Sequence, residues 1–107
     1  MWLPLLALVI GVVVGLQFSF TVPAEYARYT AVAILAALDS VLGAVRAEIN
    51  KAYDNRVFIT GLLSNVALAI GLTFLGERLN VDLSLAAVIA FGVRMFDNVA
   101  IIRRHFL

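Results

Sequence analysis

The sequence predicts an all-α polytopic membrane protein, a bundle of four short transmembrane helices. Two observations carry that prediction. The 107 residues are 64% hydrophobic and only 14% charged, whereas an ordinary soluble domain is about half apolar and roughly a quarter charged. A soluble chain of this size keeps too large an exposed shell to bury so much apolar surface, and a bilayer solvates that surface instead. The second observation is the pattern. Four apolar runs alternate with short polar connections that hold most of the charge, and the whole reads as one domain, 1–107.

The first run, Trp2 to Phe20, is 19 residues with no formal charge. At 1.5 Å per residue it reaches roughly 28 Å, close to the thickness of a hydrocarbon core. Pro4 sits in the first turn, where its missing N–H does no harm. No Lys or Arg precedes the run, and it does not end at a small-residue cleavage site. It reads as a retained helix, not a cleavable leader. Thr21, Val22 and Pro23 end it, and Glu25 and Arg28 make the first connection polar.

The second helix is expected over about 29–47. It is Ala-rich and carries one acid, Asp39. Arg46, Glu48, Lys51, Asp54 and Arg56 follow as the most charged stretch. The third helix, about 57–76, holds Asn65 near its middle. Glu77, Arg78, Asn80 and Asp82 form the third connection. The fourth, about 83–104, contains Arg94, Asp97 and Asn98 and closes on Arg103, Arg104 and His105.

Charge placement gives an orientation. With four spans, both termini share a side with the 46–56 loop. That side holds Arg46, Lys51, Arg56, Arg103 and Arg104, and the other holds Arg28 and Arg78. Cytoplasmic loops carry the excess of Lys and Arg, so both termini are expected in the cytoplasm. A faint internal repeat points to two tandem helical hairpins. Gly15-Leu16-Gln17-Phe18 resembles Gly71-Leu72-Thr73-Phe74. Asp39-Ser40-Val41, with Arg46, resembles Asp97-Asn98-Val99, with Arg104.

Several function classes find no support. A net charge of +1 supplies no basic field for nucleic acid. Cysteine is absent, which removes disulfides and thiolate metal sites. The one histidine, His105, is third from the C-terminus. No His/carboxylate metal spacing, phosphate-cradling loop or Ser–base arrangement is present. The expectation is a protein that is not an enzyme and carries neither cofactor nor metal.

Two kinds of constellation remain. Gly11 and Gly15 form a GxxxG in an apolar helix, where missing Cβ atoms let another backbone approach. This is either a seam between chains or packing inside one bundle. On the second helix Ala33, Ala36, Ala37, Ser40, Gly43, Ala44 and Ala47 recur at three- and four-residue spacing along one side. Membrane helices pack closely through such stripes, so this helix is expected to be the most buried. The third constellation is polar. A central Arg or Asp costs about 2.5–3.5 kcal/mol on insertion scales, so such residues face inward and pair. Asp39, Arg46, Asn65, Arg94, Asp97 and Asn98 are therefore expected in one buried network. Its structural reading is a salt-bridge and hydrogen-bond network that fixes the bundle's register. Its functional reading is an ion or proton path.

Particular segments resemble a known family. They are Met1-Trp2-Leu3-Pro4, Ala36-Ala37-Leu38-Asp39, Gly43 with Arg46-Ala47, Tyr53-Asp54, and Val81-Asp82-Leu83. Ala90-Phe91-Gly92-Val93-Arg94 with Phe96 and Asn98, and Ile101-Ile102-Arg103-Arg104, complete the set. Together they look like the small basic protein family of Gram-positive and related bacteria, short integral membrane proteins with no assigned function. The resemblance covers essentially the whole chain. It implies a bacterial plasma-membrane location, and a role beside cell-division and envelope processes, because family members are often encoded near such genes. It transfers no catalytic residue. It implies that Asp39, Arg46, Arg94 and Asn98 matter to the shared structure. The reading is an accessory or scaffold protein acting through helix–helix contacts, as a homo-oligomer or with other membrane proteins. The alternative is a small transport or ion-conducting subunit using Asp39, Arg94 and Asp97.

Overall fold

A computed structural model describes residues 2–17 and 22–107 of the chain. Four helices follow one another: α1 (Trp2–Gln17), α2 (Ala24–Ile49), α3 (Asn55–Leu79) and α4 (Leu83–Phe106). No strand occurs among the described residues. α2, α3 and α4 are each long and apolar enough to cross a membrane, and α1 is a shorter apolar helix of 16 residues. The expected continuation of α1 over 18–20 lies outside the described residues.

α2 and α3 overrun the apolar runs at both ends, and α4 overruns its run at the C-terminal end. α2 begins at Ala24, five residues before the expected Tyr29, and α3 continues to Leu79. Hydropathy marks only the part of a helix that needs a low-dielectric surround, whereas capping chemistry sets its ends. Pro23 stands at the N-cap position of α2, its φ of −55° already suited to lead into a helix. Asp54 caps α3 by accepting from Arg56 N at 2.8 Å. Asp82 caps α4 by accepting from Leu85 N at 3.2 Å, and Ser84 Oγ donates to the same carboxylate at 2.5 Å. That second bond, above all, holds the Asp82 carboxyl below its ordinary range.

Two helix ends use a left-handed residue that is not glycine. After α2, Lys51 takes φ 57°, Ala52 N donates to Ala47 O and Lys51 N donates to Glu48 O. This is the paired 6→1 and 5→2 closure of a helix C-terminus. After α3, Asn80 takes φ 55° and Val81 N donates to Gly76 O at 3.0 Å. Gly76 is required here. A Cβ on it would lie 2.5 Å from Val81 O and 2.9 Å from Leu83 N, so the reversal into α4 closes directly over that position.

α2 is the central helix. It packs along both α3 and α4, which touch each other less, while α1 rests mainly on α2. Val32 and Ala36 from α2, Ala69 from α3, and Ala87 and Phe91 from α4 make the core, with Leu35, Val66 and Leu72 around it. Every residue of the small stripe on α2, from Ala33 to Ala47, is buried or half-buried. Short side chains let α3 and α4 approach closely, and dispersion over that contact replaces the hydrophobic drive that lipid does not supply. Thr73 and Ser40, both in helix interiors, turn their hydroxyls back to Ala69 O and Ala36 O and so bring no unpaired donor to the interface.

α1 contrasts with this. Apart from Pro4, each of its described residues is exposed. Gly11 and Gly15 have no atom within 4 Å of where a Cβ would stand, so the pair makes no close contact with the other described helices. Of the two packings open to this GxxxG, the one inside a single bundle is not formed.

Candidate functional site

Asp39 is the most deeply placed charged group, on the stripe of α2 with Ala36 and Gly43 one turn away on either side. It is 1% exposed. Arg94 reaches across from α4, and its Nη2 stands 3.2 Å from Asp39 Oδ2. The Arg94 side chain as a whole is more than half exposed, 57%, against 0% for that of Asp39. The contact is an ion pair by distance, yet it lacks hydrogen-bond alignment, and neither oxygen of Asp39 accepts a hydrogen bond from the described residues. A buried carboxylate with unfilled lone pairs is costly, and charge pairing alone offsets only part of that cost.

The other polar residues form separate links on either side of this pair. Asn65 on α3 donates through Nδ2 to Ser40 Oγ at 3.2 Å. Arg46, about one turn before Asn50 at the end of α2, donates through Nη1 to Asn98 Oδ1 at 3.2 Å. Asn98 is buried, whereas Arg46 is exposed. Gly43 lies beside that crossing, and a Cβ there would stand 3.9 Å from Asn98 Nδ2, in ordinary contact. The sequence reading of a single buried network is thus replaced by three links radiating from α2: Asn65–Ser40 toward α3, and Asp39–Arg94 and Arg46–Asn98 toward α4.

Asp97 is the correction within this set. It is exposed and joins no ion pair among the described residues. Its three-residue spacing from Arg94 brings the two onto neighbouring faces of α4, but Arg94 is drawn inward by the buried carboxylate on α2. Asp97 instead borders an open hollow of about 260 Å³ with Gly43, Arg46, Arg94 and Asn98. Arg94, too, is not fully buried as expected. Only its tip enters the bundle.

A cleft of about 190 Å³ runs between α2 and α3, from Tyr53 and Asp54 in the connecting loop to Asp39, Asn65 and Arg94 at its inner end. Gly43, Ala44 and Ala47 line it on the α2 side, and Gly61 lies among Val57, Phe58 and Leu62 on the α3 side. Space persists there where the glycines and alanines face each other. Sequence reasoning missed Gly61, Tyr53 and Asp54. The available signal was Gly61 one helical turn before Asn65, on the face that must meet the small stripe of α2. At the mouth, Tyr53 donates to Asn55 Oδ1 at 2.6 Å. Partial burial, then the charges of Asp54 and Glu48, raise the Tyr53 hydroxyl above its ordinary pKa of 10.0, so it remains a neutral donor. At the opposite end of the molecule Tyr29 donates to Glu77 at 2.8 Å and ties α2 to α3.

The family described as "Protein of unknown function (DUF1290)" matches residues 22–107. The chain is similar to the "Small basic protein" of Bacillus subtilis (strain 168). The two are 51% identical over 107 residues, which is 100% of this chain and 88% of that protein. It is also similar to an uncharacterised protein of Mycobacterium bovis and to one of Mycobacterium tuberculosis. Each is 38% identical over 101 residues, covering 92% of this chain and 84% of the relative. No solved structure matches.

Proposed function

The chain belongs to the small basic protein family, whose function is unknown (DUF1290), and from that premise we propose that it is an accessory scaffold of the bacterial cytoplasmic membrane that works through helix–helix contacts. In this reading all four helices span, both termini are cytoplasmic, and α1 is the arm that engages a partner, a second copy or another membrane protein of the cell envelope. The observation that carries the reading is the unequal packing of the helices. α2 is enclosed by α3 and α4, while α1 leaves its glycine pair open on an apolar surface. Close backbone approach is the main source of affinity between helices in lipid, and α1 keeps that capacity unused within the chain. The five positive residues at 46–56 and 103–104, against Arg28 and Arg78 on the other side, support the orientation.

The chain has no cysteine, so a single introduced one reports cleanly. With Val14→Cys in native membranes, oxidative or bifunctional crosslinking is expected to give one discrete product, a dimer or a defined heteromer. Gly11→Leu/Gly15→Leu on that background should abolish it. A ladder of products, or a product that the leucines leave unchanged, speaks against an α1 seam. Reporters after Leu107 and in the 77–82 loop should read opposite sides of the membrane. The same side for both removes the four-span arrangement.

A further inference from the structure

We propose that the cleft between α2 and α3 is a binding site for a small organic cation that donates hydrogen bonds, a primary alkylammonium, and that Arg94 occupies the cation's place when the site is empty. This goes beyond the scaffold reading and does not depend on it.

The argument starts from Asp39. Its carboxylate is buried, borders the cleft and receives no hydrogen bond on either oxygen. A carboxylate has about four lone-pair positions to fill. Arg94 supplies charge at 3.2 Å without alignment, and its side chain is more than half exposed, so little packing holds it there. A guanidinium that meets a carboxylate by paired N–H bonds is a strong partner, and one that meets it off-line is weaker. The pair therefore has the character of a replaceable contact.

The remaining lining says what replaces it. Asp39 and Asp54 bring −2 and Arg94 brings +1, so the cleft carries a net −1 and favours a cation. Its open polar atoms are mainly acceptors. Asn65 spends an N–H on Ser40 and keeps Oδ1, while the Ser40 hydroxyl is already used in donating to Ala36 O. Among the described residues no group of three His, Cys, Asp or Glu side chains comes together to hold a metal ion. An ammonium with N–H donors matches such a lining better than a bare metal ion does. The glycine and alanine walls at Gly43, Ala44, Ala47 and Gly61 suit the short alkyl part, and a volume of about 190 Å³ admits only a small molecule. Exchange conserves charge, because the incoming cation neutralises Asp39 as Arg94 turns outward.

The test uses the whole chain purified in detergent micelles, with thermal unfolding read against ethylammonium, tetramethylammonium and sodium, all as chloride at matched ionic strength. Ethylammonium is expected to raise Tm saturably. Tetramethylammonium has the charge but no N–H, and sodium controls for salt, so both should leave Tm flat. Asp39→Asn should abolish the response. Gly61→Leu is the second variant, because a Cβ at Gly61 meets nothing within 4 Å. The leucine adds bulk to the cleft wall and leaves the Asp39 carboxylate in place, and the folded variant should not respond. Arg94→Ala removes the competitor and should bind ethylammonium about tenfold more tightly, since all molecules are then binding-competent. A flat ethylammonium titration of the wild type overturns the proposal, as does an equal response to tetramethylammonium or a wild-type response from Gly61→Leu.

Discussion

α1 is more apolar than any helix of the α2–α4 body, and it is the one left unpacked. In the body, five buried residues from three helices meet in one core, and three hydrogen-bonded links and an ion pair cross between helices. α1 contributes one buried residue, Pro4, and rests on a shallow apolar hollow of about 370 Å³ that it shares with α2 and α3. The matched family region, residues 22–107, coincides with the body, while the Bacillus relative extends over α1 as well. The difference teaches that hydrophobicity takes a helix into a bilayer and does not pack it there. Packing follows small residues placed opposite one another, and α2 presents seven of them along one side while α1 offers a glycine pair that meets no partner among the described residues.

The largest expected effect probes that contact directly. Ala36 is 0% exposed at the heart of the body, and Ala36→Leu should force α3 and α4 apart, at a cost of about 3 kcal/mol. Its counterpart Gly15→Leu in α1 should leave the unfolding of the body unchanged. Equal losses in denaturant unfolding from micelles would erase the distinction between the two regions. Next, Gly76→Ala should cost about 2 kcal/mol, because a Cβ there collides with the backbone of the α3–α4 reversal and one side must shift. Gly71→Ala, with nothing within 4 Å, is the matched control and should be near neutral.

Arg94→Ala should also cost on the order of 2 kcal/mol, below the usual penalty for breaking a buried pair because the Arg94 side chain is 57% exposed. Asp39→Leu/Arg94→Leu should recover much of that loss, since no buried charge is then left alone. A single variant as stable as wild type would mean that Asp39 does not rely on Arg94. The smallest effect is electrostatic and sits at the start of α4. Asp82 is held below its ordinary 3.8 by the bond from Ser84. Its contribution is therefore complete above about pH 4 and fades as pH falls through the lower folded value. Asp82→Asn should lose that acid-side slope in a pH series of Tm, while the slope from the other carboxylates persists.

The four helices were legible because charge and hydropathy alternate on the scale of a bilayer, and the central place of α2 was legible in its small stripe. The helix ends were less so. Nothing in the residue types at Lys51 announces a left-handed closure, because the position is held by the two backbone bonds to Glu48 and Ala47 and not by the side chain. At the site, the need to pair a charge inside a span pointed correctly to Asp39 and Arg94. It could not decide which of two acids Arg94 takes, and the acid three residues along the same helix lost to the one across the interface. The cleft was illegible for another reason. Gly61 does nothing by itself, and the space exists only because it faces Gly43 and Ala44 across two helices.

The lengths of the body's helices carry one more consequence. At 26, 25 and 24 residues they measure roughly 36–39 Å, several ångströms more than a hydrocarbon layer of about 30 Å. Such helices tilt, or they carry their ends into the headgroup zone. Their ends suit that zone. Glu25 and Arg28 start α2, Glu77 and Arg78 finish α3 with Arg78 over the Phe74 ring at 5.2 Å, and Arg103 and Arg104 finish α4. The Tyr29–Glu77 bond fixes two of these ends to each other on one side, so α2 and α3 are coupled in tilt at that surface. A change in bilayer thickness would therefore act on α2 and α3 as a pair, and the strain of that mismatch would fall between them at the glycine-walled cleft.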